Sequence, residues 1–537
     1  MKRLLLLTTL CGLLFSLGVG AVASQDGQGL VRLPAADGGL LHDYLFPRFY
    51  RLDPATGELE GAAPGNLAMV IAPQASAEIE QTLRLRDDLR WRDGRPVTAW
   101  DALGGLLLLN PGAPIDALTV IDDHTLALRY TESNCANTAR VNPFLTATTP
   151  AFEQAARAFI AGQPPGPISL EDWLIALESA APFPPQIAQP DLTVGLVLPE
   201  GAANAGFSGF SQGALAVRLV NLPAGLTREQ AFLQGETNVL FWPSPKYAAD
   251  LLTQDDVQVA RGPGWGVEYL VFNFANPETP RSAFTQRGQL LDQGHNPFFA
   301  DKRVRQAVAL ALDVETMIDV GYFGEARRFA GTLPPNSWGY NHGLTPPPYD
   351  PAAAARLLDE AGWVDTDGDG IRNCYRCQFA EPGTELVVRF ANSTNNITGD
   401  LMTLQLARIG ISLSTDSVID LSQRFDLMLV TRYDAAHDPD QWGQFARAAD
   451  VIGAWGNIGS YFNPTVEALL EEARTLPSCP VTDRAALYQQ AQALLAEDLP
   501  MLGLYNPNYL YLARGIDGFD PRPGDPFWNL PNWRVTQ

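Results

Sequence analysis

The sequence predicts an α/β protein built from several structural units. Helices with complete start and stop signals alternate along the chain with strand-like segments, which points to layered α/β architecture. The 537 residues, at roughly 100–200 residues per domain, suggest about three such units with ample room for large cores. Hydrophobic residues make up 46% and charged residues 18%, a composition that folds, since disorder needs low hydrophobicity together with high charge.

Taken in order, Thr227 and Gln230 form a capping box ahead of Ala231-Phe232-Leu233, and Gly235 stops that short helix. Asp301 caps a helix whose apolar face runs through Val304, Ala307, Val308 and Ala311. Asp350 with Pro351 opens a helix that Gly362 ends in the left-handed conformation. Asn463-Pro464 starts another, and Thr482 to Asp498 reads as an amphipathic helix ended by Pro500. Between them, residues 386–390 and 425–430 alternate like strands. Pro- and Gly-rich stretches at 162–166, 181–190 and 343–351 mark loops or boundaries.

The 37 basic against 60 acidic residues give a net charge of −23, which repels polyanions and argues against nucleic-acid binding. After the first two dozen residues no apolar run is long enough to span a membrane, so a polytopic membrane protein is not expected. Lys2 and Arg3, the apolar Leu4 to Val19 and the small Ala21-Val22-Ala23 read as a signal peptide over residues 1–23. The alternative is an uncleaved anchor. Cys11 lies inside the apolar run and is not a lipidation site. Export leaves Cys135, Cys374, Cys377 and Cys479 in a disulfide-permissive compartment. Spacing favours Cys374 with Cys377, leaving Cys135 with Cys479; no second pair completes a zinc site.

Four blocks resemble one family. Leu85-Arg86 through Trp91-Arg92-Asp93-Gly94-Arg95-Pro96-Val97-Thr98-Ala99-Trp100-Asp101 follows its "L-R-x-x-x-x-W-x-D-G-x-P-x-T-A-x-D" signature. Residues 299–318, 349–372 and 463–500 match three further blocks in the same order. The chain is thereby similar to the bacterial extracellular solute-binding proteins of the oligopeptide, dipeptide and nickel type, which serve ABC importers. The resemblance implies a two-lobed periplasmic-binding-protein clamshell with an extra domain inserted in the first lobe. The first lobe would collect residues 24–66, 190–270 and 485–537, the inserted domain 67–189 and the second lobe 271–484. It further implies an exported, periplasmic or cell-surface monomer that is not an enzyme. Such a protein would capture a solute, closing by a hinge, and hand it to an ABC importer permease, with no cofactor and no resident metal.

The candidate ligand site follows the strand at 425–430 and includes Arg432, Tyr433, Asp434, Asp438, Asp440 and Trp442. Peptide-binding relatives carry "D-x-x-D-P-D" here, the first Asp holding the α-ammonium. Asp438-Pro439-Asp440 fits, but Ala435 stands where that Asp belongs, so Asp434 serves only with a one-residue shift. A carboxylate in a closing, water-poor cleft is a sound partner for an ammonium. Among the aromatics, Trp265 and Tyr269 join Trp442 as ring contacts for a side chain or a sugar face. The alternative ligand is therefore a sugar or another small molecule, and a sensing role is an alternative to transport.

Two decoys complete the reading. Asp365, Asp367 and Asp369 have calcium-loop spacing, but the twelfth position is Arg376 where a bidentate acid is required. An acidic β-turn is the preferred reading. Gly209-Phe210-Ser211-Gln212-Gly213 matches the nucleophile elbow of secreted serine esterases, but no central strand precedes it and no helix follows.

Overall fold

The computed structural model describes residues 30–34, 47–52, 59–62, 68–73, 75–91, 94–109, 114–143, 145, 148–164, 166–180, 193–196, 205–206, 216–392, 397–416, 423–433 and 438–536. The leader, Asp434 and the Gly209–Gly213 motif lie outside them. No helix among the described residues is long and apolar enough to cross a membrane.

Local signals largely act as the sequence predicts. Thr227 and Gln230 make both halves of the capping box over Arg228–Leu233. Asp301, Asp350 and Asn463 each accept first-turn amides at the start of Lys302–Ala311, Pro351–Glu360 and Pro464–Thr475. Gly362 takes φ +88° after its helix, where a Cβ would also meet the Arg376 carbonyl carbon at 2.5 Å. The final helix spans Val481–Asp498. The strands expected at 386–390 and 425–430 are Val387–Asn392 and Leu427–Tyr433.

The signature block is structural. The Asp101 carboxylate, buried, accepts the Trp91 indole N–H at 2.9 Å, the Thr98 amide at 2.8 Å and the Thr148 amide at 2.8 Å. One side chain thus fastens a turn, a helix start and a distant loop, and burial raises its carboxyl pKa against those donors.

An eight-stranded sheet organises the molecule. Its path runs Val239–Phe241, Met501–Arg514, Gly266–Phe272, Leu427–Tyr433, Val387–Asn392 and Ser412–Asp416, with Val257–Pro263 and Ala326–Arg328 also paired to Met501–Arg514. A four-stranded sheet lies apart, in the order Glu80–Arg84, Thr125–Tyr130, Ile115–Asp122 and Ile168–Ser169.

Two large apolar cores divide along this framework. The first gathers Trp91, Leu128, Tyr130, Trp173, Phe241, Tyr511 and Trp533; the second gathers Leu270, Phe272, Phe299, Trp363, Phe390, Leu429 and Tyr505. Each such buried side chain contributes about 1.5–3 kcal/mol relative to exposure. The strand Met501–Arg514 enters both: Leu502, Leu504 and Tyr505 pack in the second core, Tyr511 and Ala513 in the first. The chain also passes between them from Val257–Pro263 to Gly266–Phe272 through Gly264-Trp265. Two adjacent crossings of this kind are the arrangement a hinge requires.

Both cysteine pairs are bonded, Cys135 with Cys479 and Cys374 with Cys377.

Candidate ligand site

Alternation along Gly266–Phe272 sends Leu270 and Phe272 into the second core and Val267, Tyr269 and Val271 to the opposite face of the sheet. Over that face lies the segment from Trp442 to Tyr461. Gly459 lets it approach: a Cβ there would lie 2.7 Å from the Phe272 carbonyl oxygen, and the Gly459 carbonyl accepts the Phe274 amide at 2.8 Å. Asn457 ties the segment to itself, its side chain donating to the Tyr461 carbonyl at 2.7 Å and accepting the Tyr461 amide at 3.1 Å. The Tyr461 hydroxyl donates to Asp498 at 2.6 Å. Burial and that carboxylate raise its pKa, so it stays a donor.

Between sheet and segment lies a cavity of about 280 Å³. Val271, Val430 and Met501 supply an apolar floor, and Thr431, Gln444 and Asn457 supply polar groups. Arg432 is the charged residue among its described lining residues, and Trp455, largely exposed, stands at its edge. An apolar cavity with a few convergent polar groups is the usual form of a small-molecule site.

The expected site residues separate into two groups. Arg432 lines the cavity, one residue before the end of the strand Leu427–Tyr433. Tyr433 pairs with Gly266 in the ladder. Asp438 and Asp440 face basic side chains. Asp438 accepts Arg484 at 2.9 Å; burial raises its pKa while Arg484 opposes this. Asp440 accepts Arg140 at 3.0 Å, Asn134 at 3.0 Å and the Trp442 amide at 3.0 Å, with Arg474 at 3.6 Å.

Trp442 is half-buried under the Arg474 guanidinium, 4.5 Å from its ring centroid. Trp265 is buried near Gly524, and Tyr269 is fully buried with its hydroxyl donating to the Thr332 carbonyl at 2.5 Å. Tyr269 still contributes a wall, with Gln441 and Arg432, to a neighbouring space of about 30 Å³. The sequence places Thr431 in the candidate segment without singling it out, and it gives no sign of Gln444 and Asn457. The signal available was the Gly-rich run 453–459, whose glycines permit close approach to a sheet. Asp365, Asp367 and Asp369 are exposed with carboxylates within 4.8 Å of one another; Asp365 accepts the Gly368 amide at 2.7 Å and Asp369 the Ile371 amide at 2.8 Å.

Residues 216–453 match the model of the bacterial extracellular solute-binding proteins, family 5, middle region. Over this stretch, a little under half of its length, the chain is similar to that family. The chain is 27% identical over 260 residues to the oligopeptide-binding protein AppA of Bacillus subtilis, covering 45% of each chain. It is 24% identical over 310 residues to a dipeptide-binding protein of Pseudomonas aeruginosa, covering 55% of this chain and 51% of that one. The match thus spans about half the length of these curated relatives. Solved structures share the fold across nearly the whole chain. AppA from Bacillus subtilis in complex with a nonapeptide gives a TM-score of 0.63 at 17% identity, covering 96% of this chain and 100% of that one. HbpA2 from Haemophilus parasuis gives 0.66 at 16% identity, covering 95% and 100%. The two-lobed clamshell fold expected from the sequence is therefore present.

Proposed function

We propose that this solute-binding protein is an exported receptor that captures a short peptide between its lobes and delivers it to an ABC-type importer permease. Similarity to the family model over residues 216–453 supports a binding rather than a catalytic role, and the names of the AppA and dipeptide-binding relatives support a peptide ligand. The lobes divide at the two crossings, near residues 264–266 and 506–510, and close around ligand because the closed form binds it better. The protein works as a periplasmic or cell-surface monomer without nucleic acid or cofactor.

The observation that supports the site assignment is the cavity beside Arg432, near the end of Leu427–Tyr433, which is the second lobe's share of the interlobe site. In this reading Arg432 faces an anionic group of the ligand and Asp434 its ammonium, while Thr431, Gln444 and Asn457 pair with amide groups. A second reading, a non-peptide solute bearing an anion, draws on the same Arg432 and on Trp455 as a stacking surface. A thermal-shift comparison of di- and tripeptides with sugars and organic anions tests this. Stabilisation by peptides is expected; stabilisation by sugars or organic anions alone would overturn the peptide assignment in favour of the second reading.

A further inference from the structure

Two bodies joined by adjacent strand crossings keep one rotation, the hinge motion. A third covalent link placed away from that axis removes it. Cys135 lies between Tyr130 and Val141, both in the first core, whereas Cys479 lies between Ala473 and Tyr488 of the cluster that packs around Tyr461 and Met501. Their disulfide joins positions 344 residues apart in sequence and connects these bodies outside the main chain.

The link is made by segments outside both crossings: Cys135 just precedes the helix Asn137–Arg140, and Cys479 lies between the helices Pro464–Thr475 and Val481–Asp498. Around the disulfide the contact is polar and dense. The Cys135 amide donates to the Arg474 carbonyl at 2.7 Å, Arg474 pairs with Glu132, and Asp440 takes Arg140 and Asn134 from the first body and Arg474 from its own. Both sulfur residues are buried. Asp440 also accepts the Trp442 amide, fixing the start of Trp442–Phe445, whose Gln444 and Phe445 line the 280 Å³ cavity.

We propose that Cys135–Cys479, with the Asp440-centred ion cluster, is a latch that ties the two lobes across the binding cleft and restricts hinge opening. The latch rests on the two-lobed fold and not on the identity of the ligand. With it intact, the cleft opens only as far as the tether allows and the Gln444 wall stays preorganised. A dithiol unlocks it: the S–S bond breaks, two S–H bonds form, and the dithiol becomes a disulfide, passing two electrons and two protons. Burial of both sulfurs makes this slow unless the ion cluster first parts.

Spin labels carried by non-canonical amino acids at the exposed Ile121 and Leu404, one on each body, report the opening by pulsed dipolar spectroscopy on the full chain. The oxidised protein is expected to give one narrow distance distribution, and Cys135→Ser/Cys479→Ser one about twofold broader, as a freed hinge samples open states. The same broadening is expected in a Cys374→Ser/Cys377→Ser background after dithiothreitol treatment, with mass spectrometry confirming loss of the remaining disulfide; this arm needs no variant at the latch to fold. Asp440→Asn, with the disulfide retained, is expected to keep the narrow distribution but to speed its reduction. Equal distributions before and after confirmed reduction would overturn the latch, whatever ligand the protein proves to carry.

Discussion

The Asn506 side-chain amide donates to the Gly264 carbonyl at 2.8 Å and to the Gly266 carbonyl at 2.7 Å, and so binds the two strand crossings to each other. Asn506 is fully buried, and the Gly264 amide returns a bond to the Pro507 carbonyl at 3.0 Å. Replacing Asn506 by Leu keeps the volume and removes both donors, leaving buried carbonyls unpaired. A loss of about 1–3 kcal/mol is expected in urea unfolding. Gly264→Ala is expected to destabilise as well, since its Cβ would sit 2.9 Å from the Pro507 oxygen.

Arg432 is expected to carry ligand affinity without carrying the fold, because it is exposed at the cavity edge. Arg432→Gln should weaken binding of the identified ligand about 10–100-fold, the worth of one charge-assisted hydrogen bond. Calorimetric titration checks this, with the melting temperature of the unliganded protein nearly unchanged.

Asp434 and Asp440 are expected to part company. Asp440 sits in an ion cluster, with 2% of its side chain exposed, so Asp440→Asn should cost about 1–3 kcal/mol of stability. Asp434→Asn should weaken peptide binding and leave stability unchanged. Denaturation and titration of both variants give the comparison; equal effects on binding would contradict the division of roles.

Much of this was legible in sequence because capping signals and the family blocks are local. Asp301, Asp350 and Asn463 needed only their own neighbours to define helix starts. Family-derived positions also named Arg432, which lines the cavity. What the sequence hid was long-range: nothing local shows that Asp440 would meet Arg140, 300 residues away, or that Tyr269 would spend its hydroxyl on Thr332. Trp265 reads in sequence as a ring contact because Gly and turn-like residues flank it, yet it lies in the strand crossing and is buried. Gln444 and Asn457 carry no residue-level signal, since an amide lines a cavity only through the path of its backbone.

Asp450 sets a pH dependence. Burial raises its carboxyl pKa, while the amides of Gln423 at 2.8 Å and Gln293 at 2.7 Å oppose this. Folding then takes up a proton, so this stabilisation is complete below the unfolded value of about 3.9 and is lost as pH rises through the raised folded value. The stability of the wild type minus that of Asp450→Asn should therefore fall as pH rises above about 4. A difference that stays flat as pH rises from there would show that the group is not shifted upward.

Cys135→Ser/Cys479→Ser is expected to lower stability by about 2–5 kcal/mol, as for loss of a long-loop disulfide. Denaturant unfolding under non-reducing conditions measures it, with Cys374→Ser/Cys377→Ser, which closes a loop of sequence separation 3, losing less.

The most direct measurement is native mass spectrometry of the full chain purified without denaturation, followed by identification of what it releases. A ladder of short peptides, displaced together when Arg432 is replaced by Gln, is the expected result. A single sugar or other non-peptide solute, retained unchanged by that variant, would contradict both the peptide ligand and the site.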